Sequence, residues 1–319
     1  MRGKRVLVTG GSGFIGSHLV NRLLSDGAKV GVLVRYGNLM KNERLQRSWN
    51  DIEIIEADLR NRGALSLAAS FRPEVIFHLA AYNHVGQSFL QVEECFDVNA
   101  KGTANLLDIC SDVEKFVYMS TSEVYGYQRQ VPFVESMTPE PISPYAITKY
   151  AGELYSRLKQ RMRNDGAIVI VRPFNTYGPY QSSKAIIPEL IINALAGKTI
   201  RATKGEQTRE FNYVSDIVEG LIRAAQVKGS IEGPVNLATG KEVSIRDLIT
   251  TIVRLSGMAT QVELGALPYR PTEIWRMYAD ASRALEHLQW SPRVTLEQGL
   301  RMTIDWFRGY LGSVRQSNC

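Results

Sequence analysis

Several residue types and patterns that would define whole classes of protein are scarce or missing in this sequence. It has only three cysteines, Cys95, Cys110 and Cys319, and no Cys-x-x-Cys pair, which excludes a disulfide framework. It also has no His-x-x-x-His pair and no acidic cluster, so no metal site is predicted. Because disulfides are rare in reducing compartments, this cysteine usage predicts a cytoplasmic protein.

Long apolar runs are also missing. The most apolar stretch, residues 185–196, is interrupted by Pro188 and Glu189, whereas a bilayer span needs roughly 20 apolar residues. Near the N-terminus only Val6-Leu7-Val8 precedes a glycine-rich segment, which is too short for the apolar core of a signal peptide. We therefore expect neither a membrane span nor a secretory signal.

Basic and acidic residues are mixed along the chain, with no long run of lysine and arginine. The net charge is +6 and the pI is about 9.1. Without a basic run, nucleic acid is not expected as a partner, and an anionic small molecule accounts for the surplus charge equally well. With 319 residues, 44% of them hydrophobic and 22% charged, the chain is expected to form one large globular domain or two unequal ones.

Six short apolar runs, interpreted as strands, alternate with amphipathic segments interpreted as helices. The predicted strands are Arg5–Val8, Val30–Val34, Ile52–Glu56, Val75–Leu79, Lys115–Met119 and Ala167–Val171. This alternation predicts an α/β fold with a Rossmann-type, doubly wound parallel sheet. After residue 172 the alternation stops, and helices are predicted over Asp216–Ala225, Ile245–Ser256, Ser282–Leu288 and Leu296–Tyr310. We therefore predict a Rossmann-type domain over residues 1–172 and a smaller α/β region over residues 173–319, partly interleaved with it; the motifs below predict NAD(P) binding for the first and substrate binding for the second.

A glycine-rich segment links the first predicted strand to its helix. Its relevant spacing is Gly10-x-x-Gly13-x-x-Gly16, and Phe14 and Ile15 open the helix. The three glycines allow a sharp turn, a close approach of backbone to a pyrophosphate, and close packing of the helix. The helix N-terminus adds N–H donors and partial positive charge. This segment predicts a dinucleotide-binding site.

The end of the second predicted strand bears on the choice of dinucleotide. An acid there would bind the ribose 2′-hydroxyl of NAD, but the chain has Val34-Arg35-Tyr36. Arg35 can pair with a 2′-phosphate, which favours NADP over NAD, or it is a solvated arginine at a strand end. Asp58 and Leu59 follow the third strand and would flank the adenine, although Asp58 is equally interpretable as a helix N-cap.

A tyrosine and a lysine form the main candidate for chemistry. Tyr145 and Lys149 are four residues apart, which places them on one face of a helix. A neighbouring ammonium and a positive nicotinamide ring are expected to lower the pKa of the tyrosine from about 10. Thr121, Ser122 and Glu123 follow the end of the fifth predicted strand, which brings hydroxyls and a carboxylate to the same edge of the sheet.

At these residues the sequence resembles the extended short-chain dehydrogenase/reductase family, which contains the nucleotide-sugar epimerases and dehydratases. The resemblance runs essentially end to end. The motifs that carry it are the glycine loop, His78-Leu79-Ala80-Ala81, Asn99, residues 120–123, Tyr145/Lys149, residues 172–179, Gln207-Thr208-Arg209-Glu210-Phe211, Val214-x-Asp216 and Arg270-Pro271-Thr272.

The resemblance implies roles for individual residues. Thr121 and Tyr145 would contact the sugar 4-hydroxyl, and Lys149 would hold the nicotinamide ribose. The strand-end residues implied to line the cofactor site are Leu79, Ala80 and Ala81. The residues implied to bind the nucleotide part of the substrate are Asn175, Arg209 and Arg270. Without the resemblance, Asn175 would be read as a loop residue and Arg209 as a surface arginine.

Glu123 bears on the reaction within this family. By the resemblance, simple 4-epimerases carry a small residue there, whereas in 4,6-dehydratases a glutamate removes the C5 proton after oxidation at C4. Many relatives acting on dTDP-glucose have Asp-Glu where this chain has Ser122-Glu123. Glu123, once protonated, could also protonate the C6 hydroxyl. The leading hypothesis is a nucleotide-sugar 4,6-dehydratase; the alternatives are a UDP-glucuronate decarboxylase or a 4-epimerase of this family, and a regulator without catalysis.

Other segments resemble particular dehydratases. The loop from His84 to Ser88 is similar to the His-Val-x-x-Ser loop of dehydratases, which suggests that both residues bind substrate, although His84 is equally interpretable as a loop histidine. Residues 34–36 are similar to GDP-mannose dehydratases, and residues 174–188 to UDP-N-acetylglucosamine dehydratases.

The resemblance also implies a homodimer, in which two helices of each subunit form a four-helix bundle. The apolar residues offered for that contact are Ile147, Ala151 and Leu154 on one helix and Leu106, Leu107 and Ile109 on the other.

Overall fold

The computed structural model describes residues 1–35, 43–163, 165, 167–269 and 273–317, with side chains to residue 312. The strands are β1 Arg5–Thr9, β2 Lys29–Val34, β3 Ile52–Glu56, β4 Val75–His78, β5 Lys115–Met119, β6 Ile168–Pro173, β7 Thr176–Tyr177, β8 Ile200–Ala202, β9 Thr208–Glu210, β10 Asn212–Tyr213, β11 Pro234–Leu237, β12 Glu242–Ser244, β13 Val262–Leu264 and β14 Arg276–Met277. The helices are α1 Phe14–Ser25, α2 Ser66–Ser70, α3 Val85–Ser88, α4 Val92–Cys95, α5 Gly102–Ile109, α6 Pro144–Arg163, α7 Ile186–Leu195, α8 Val214–Gln226, α9 Ile245–Ser256, α10 Ser282–Leu288 and α11 Leu296–Ser317.

Seven parallel strands form the central sheet, in the order β11-β6-β5-β4-β1-β2-β3. The predicted Rossmann-type parallel sheet is therefore confirmed, and the six predicted strands agree with the observed ones to within two residues. The strand order reverses between β1 and β4. In such sheets a crevice opens there, beyond the carboxyl ends of the strands.

The strands are apolar on both faces because helices cover both faces. In β1, Val6 and Val8 pack with Leu19 of α1 on one side of the sheet. Leu7, the residue between them, points to the other side, where it joins a second core with Phe116. Continuous apolar runs, rather than alternation, are what a sheet buried on both faces requires.

The C-terminal half of the chain contributes to the same sheet. Strand β11 pairs with β6, and α8 packs against β5, β6 and α1. Smaller sheets, β12-β9-β14, β13-β8 and β10-β7, lie outside the central one. The buried carboxylate of Glu210 accepts backbone N–H groups of Thr239, Gly240 and Ala279, which ties β9 to the segments after β11 and β14. A division at residue 172 remains a prediction.

Two helices have longer bounds than predicted: α8 begins two residues earlier, at Val214, and α11 runs to Ser317. Two residues offered for a subunit contact are placed differently. Leu106 and Leu107 of α5 are 0% and 5% exposed, because they pack against their own sheet. Among the described residues, no helix combines the length and apolarity that a membrane crossing requires.

Candidate active site

The glycine-rich turn after β1 has the geometry that its sequence predicts. Gly10 has a φ of +73°, and a Cβ there would lie 2.7 Å from the backbone nitrogen of Ala80. A Cβ on Gly16 would lie 2.1 Å from the Gly10 carbonyl oxygen, so any larger residue would push α1 off the turn. Gly13 precedes the first residue of α1, and no side chain caps this N-terminus. Such a helix N-terminus offers backbone N–H donors and partial positive charge to an anion.

A groove of about 570 Å³ extends from this turn along the carboxyl ends of β1, β2 and β4. It is lined by the predicted cofactor residues Gly10, Gly13, Arg35, Asp58, Leu59, Leu79, Ala80 and Ala81. Phe14 and Ile15 line the adjoining cavity instead. The groove has the position and the donors needed to hold a dinucleotide, with its pyrophosphate at α1 and its adenosine toward Arg35.

Two arginines and two carboxylates surround the end of the groove nearest to β2. Arg35 lies 3.4 Å from Glu94, and Arg60 lies 2.6 Å from Asp58 and 3.9 Å from Glu94. Hydrogen bonds from Arg60 lower the pKa of Asp58. Asp58 also accepts the N–H of Arg60, and the next helix, α2, starts only at Ser66. Asp58 is therefore a turn residue held by Arg60 and not a helix N-cap.

The end of β5 lines a second cavity, of about 280 Å³, with the predicted hydroxyls and carboxylate. Thr121 accepts the backbone N–H of Glu123 at 3.2 Å and so starts a 3₁₀ turn over Ser122–Tyr125. Thr121 and Ser122 are buried, and Glu123 is half-buried. The residues that line the cavity with them include Tyr145, Lys149 and Asn175.

Helix α6 brings Tyr145 and Lys149 to this cavity. It begins at Pro144, and the preceding Ser143 accepts the N–H of Ala146 at 3.1 Å. Lys149 is 2% exposed, with its Nζ 4.4 Å from the centre of the Tyr118 ring. Burial lowers the pKa of Lys149 to about 7, although Glu153 acts in the opposite direction.

The pKa of Tyr145 departs from the sequence-based expectation. Burial raises it to about 12, with Glu123 adding to the rise and a hydrogen bond with Thr121 opposing it. The expected lowering by the Lys149 ammonium is absent in this structure because the removal of the phenol from water dominates. The expected lowering of the Tyr145 pKa also rested on a second positive charge, that of the nicotinamide ring of a bound cofactor.

Two supporting interactions were not anticipated from the sequence. Asn99 accepts the backbone N–H of Tyr82 at 2.7 Å and donates to the Tyr82 carbonyl and the Thr148 hydroxyl, which links the cofactor groove to α6. Below Lys149, Glu153 forms a buried ion pair with Arg172 and accepts the Ser120 hydroxyl. The importance of Asn99 could have been inferred from the sequence, since it is one of the residues that carry the family resemblance. Glu153 belongs to none of those motifs.

The loop predicted to bind substrate reaches the second cavity through Val85 and not through His84 or Ser88. Ser88 is fully buried, and its hydroxyl donates to the Val85 carbonyl at 2.6 Å within helix α3, so its role in substrate binding stays a prediction. His84 accepts the N–H of Gln87 as the N-cap of α3 and lines the cofactor groove, not the second cavity. Both residues make hydrogen bonds within this short helix, which gives them a local structural role beside the substrate-binding role that the resemblance implies.

The residues expected to bind the nucleotide are only partly brought together. Asn175 lines the second cavity and donates to the Glu210 carbonyl at 3.1 Å. Arg209 is held by Glu273 at 2.6 Å and by the Ile274 carbonyl at 2.6 Å, and is not among the described residues that line either cavity. Arg270 lies outside the described residues.

Comparison with known proteins agrees with this geometry. The family model described as GDP-mannose 4,6 dehydratase matches residues 7–303. The chain belongs to the extended short-chain dehydrogenase/reductase family of nucleotide-sugar epimerases and dehydratases. It is 36% identical to a UDP-glucose 4-epimerase of Mycolicibacterium smegmatis, covering 95% of this chain and 98% of the relative. It is 32% identical to the dTDP-D-glucose 4,6-dehydratase of Bos taurus, covering 96% and 89%.

Solved structures of this family have the same fold. UDP-glucose 4-epimerase of Thermotoga maritima, solved with UDP-glucose, is 30% identical with a TM-score of 0.87 and covers 96% of this chain and 99% of its own. UDP-glucose 4-epimerase of Thermus thermophilus, solved with NAD, is 32% identical with a TM-score of 0.84 and covers 96% and 99%. Family membership identifies an enzyme with a nicotinamide-cofactor fold, and the choice between dehydratase and epimerase depends on the site.

Proposed function

We propose that this enzyme is a nucleotide-sugar 4,6-dehydratase that converts an NDP-hexose to an NDP-4-keto-6-deoxyhexose. The observation that supports this most is the position of Glu123. Its carboxylate lines the same cavity as Tyr145 and Lys149 and acts electrostatically on the Tyr145 phenol. A 4-epimerase needs no second acid–base group there, whereas an elimination across C5 and C6 does.

The side chains around the cavity suit the successive steps. Thr121 and Tyr145 would bind the sugar 4-hydroxyl, and Tyr145 would take its proton. The nicotinamide cofactor held by the groove would supply hydride transfer, from C4 of the sugar and back to C6. Glu123 would take the C5 proton, which the C4 ketone makes acidic, and pass it to the departing C6 hydroxyl. One molecule of water leaves, and a proton equivalent to the one that Tyr145 removed returns at C5.

Lys149 would act on Tyr145 and on the cofactor ribose. Burial lowers the pKa of Lys149 to about 7, because a single charge in this site is poorly solvated. A phenolate on Tyr145 and an ammonium on Lys149 would stabilise each other, because the attraction between opposite charges is strong in a buried site and offsets the loss of their hydration. Asn175, which lines the same cavity, would bind the substrate diphosphate.

Two other reactions of the family are alternatives. A UDP-glucuronate decarboxylase would have to pair the substrate carboxylate with a cation, and among the described residues that line the cavity the only cation is Lys149. A 4-epimerase is favoured by the relatives, which include one UDP-glucose 4-epimerase at 36% identity. We place the dehydratase first because of Glu123.

The decisive experiment is to incubate the purified enzyme with NADP or NAD and a set of UDP-, GDP- and dTDP-hexoses, and to measure product masses. Loss of water supports the dehydratase, loss of carbon dioxide the decarboxylase, and an unchanged mass with a changed sugar configuration the epimerase. Net consumption of the added cofactor would contradict all three, since each returns the hydride to the sugar.

Three further properties belong to this proposal. We favour NADP, with NAD as a possible cofactor, because Arg35 and Arg60 line a cavity at the end of β2, the strand end at which such folds bind the adenosine ribose. We propose a homodimer through α6, because its exposed residues Ile147, Leu154, Leu158 and Met162 follow one face of the helix. A cytoplasmic location stays a prediction from cysteine usage.

A further inference from the structure

Glu94 of helix α4 lies across the cofactor groove from the end of β2. Its Oε1 atom is 3.4 Å from Nη1 of Arg35 and 3.9 Å from Nη1 of Arg60. Glu94, Arg35 and Asp58 all line the groove, and Arg35, Asp58 and Arg60 line the cavity of about 470 Å³ beside it. One carboxylate, that of Glu94, therefore lies within 4 Å of the guanidinium groups of both arginines.

The charges at this end of the groove nearly balance. Arg60 is already committed to Asp58 through a fork of contacts between 2.6 and 3.1 Å. Arg35 and the free side of Arg60 face Glu94. A ribose 2′-hydroxyl is neutral and leaves this balance unchanged, whereas a 2′-phosphate would have to take both arginines from Glu94 and remain close to its negative charge.

The end of β2 has no acidic residue in the sequence, but Glu94 brings a carboxylate to the same place from a helix about 60 residues later in the chain. We propose that Glu94 is a specificity-determining residue for the cofactor. Its carboxylate weakens binding of the 2′-phosphorylated dinucleotide relative to the unphosphorylated one, so that the enzyme accepts both NADP and NAD. This inference rests on the proposed cofactor site.

The size of the effect follows from the exposure of the groups. The side chains of Arg35 and Glu94 are 51% and 35% exposed, so their ion pair contributes little to stability. A unit charge a few ångströms from a phosphate, in a partly solvated groove, changes phosphate binding about three- to tenfold. Salt should reduce this factor, because mobile ions screen partly exposed charges.

The test measures dissociation constants of NADP and NAD by calorimetry, without sugar substrate, for the wild type and for Glu94→Gln. The matched control is Glu93→Gln, which removes an exposed neighbouring charge that is not among the described residues lining the groove. Glu94→Gln should raise the preference for NADP over NAD by about three- to tenfold at low salt, and by less at high salt. Glu93→Gln should leave the preference at the wild-type value, and Glu94→Asp, which keeps the charge, should stay near it.

An unchanged ratio in Glu94→Gln, or an equal change for both dinucleotides, would overturn the role of Glu94 while leaving the cofactor site intact. A ratio that shifts equally at low and high salt would also overturn it, because the shift would then not arise from charge. If the wild type bound neither dinucleotide, the proposed function itself would fail, and this inference with it.

Discussion

Arg172 of β6 and Glu153 of α6, the helix that carries Tyr145 and Lys149, form an ion pair that is almost completely buried. The guanidinium donates to the two carboxylate oxygens at 2.5 and 3.2 Å, and the Ser120 hydroxyl donates to the same carboxylate at 2.8 Å. Since Glu153 lies one turn after Lys149, the pair fixes the register of α6 against the ends of β5 and β6. The negative charge of Glu153 also opposes the lowering of the Lys149 pKa by burial.

Glu153→Gln should lower the free energy of unfolding by about 3–5 kcal/mol, because the Arg172 charge is left buried without its partner. The measurement is chemical unfolding of the two proteins. Asp305→Asn, which breaks an exposed ion pair with Arg308, is the control and should leave the unfolding midpoint almost unchanged. Equal midpoints for Glu153→Gln and the control would show that the buried pair does not hold α6 in place.

His78 makes stability depend on pH. Its ring is fully buried between the hydroxyls of Thr9 and Thr103, and burial lowers its pKa to about 3. Below about pH 6.5 the unfolded chain therefore takes up a proton that the folded chain refuses until about pH 3. The sign is thus a loss of stability as the pH falls through this window.

His78→Gln can keep a polar contact with the threonines but cannot bind this proton. The decrease in unfolding free energy between pH 6.5 and pH 4.5 should be smaller in the variant by about 2–3 kcal/mol. Urea unfolding at the two pH values measures it, and each protein serves as its own reference, so that a constant loss of stability cancels. Parallel pH profiles for the two proteins would exclude His78 as the source.

The sequence predicted those parts of the fold that local patterns determine. Continuous apolar runs identified six central strands, and the spacing of Gly10, Gly13 and Gly16 identified a turn in which Gly10 has positive φ. The seventh strand, β11, is only four residues long and joins the sheet from the other half of the chain. No local pattern marks such a long-range pairing.

The site was predictable only where motifs place residues on known strand ends or helix faces. Thr121, Glu123, Tyr145 and Lys149 come together because β5 ends where α6 begins its first turns. Ser88 was predicted to bind substrate from a loop motif, whereas in the structure its hydroxyl donates to the Val85 carbonyl of its own short helix. Glu94 shows the opposite case: its proximity to the end of β2 depends on how α4 packs, which periodicity does not describe.

The dimer proposal predicts that α6 loses its partner when charge is placed on its exposed face. Leu154 and Leu158 are 47% and 51% exposed and lie one helical turn apart. Leu154→Lys combined with Leu158→Lys should convert a particle of about twice 35.7 kDa into a monomer, because two charges would be buried without partners. Light scattering at micromolar concentration measures this mass.

The control for that experiment is Leu285→Lys. This residue lies on α10 and is 60% exposed, so it tests whether any added surface lysine changes the assembly. The control should keep the wild-type mass. A wild-type particle near 35.7 kDa would contradict the dimer outright.

The last prediction separates oxidation from elimination. Tyr145→Phe removes the group proposed to take the C4-hydroxyl proton, so it should slow the first step by about 10²–10⁴. No near-ultraviolet absorbance of reduced nicotinamide should then appear when enzyme and substrate are mixed. Glu123→Gln keeps the shape of the side chain and cannot accept a proton, so the same absorbance should appear at nearly the wild-type rate and then persist.

Exchange of the C5 hydrogen with deuterated water distinguishes the two variants independently. In Glu123→Gln this exchange should slow by a similar factor, about 10²–10⁴, because the base for that carbon is gone. In Tyr145→Phe it should be lost with the ketone that makes the carbon acidic. If Glu123→Gln turned over at the wild-type rate, elimination could not depend on this carboxylate. The 4-epimerase, which needs no proton-transferring group at that position, would then become the better explanation of the site.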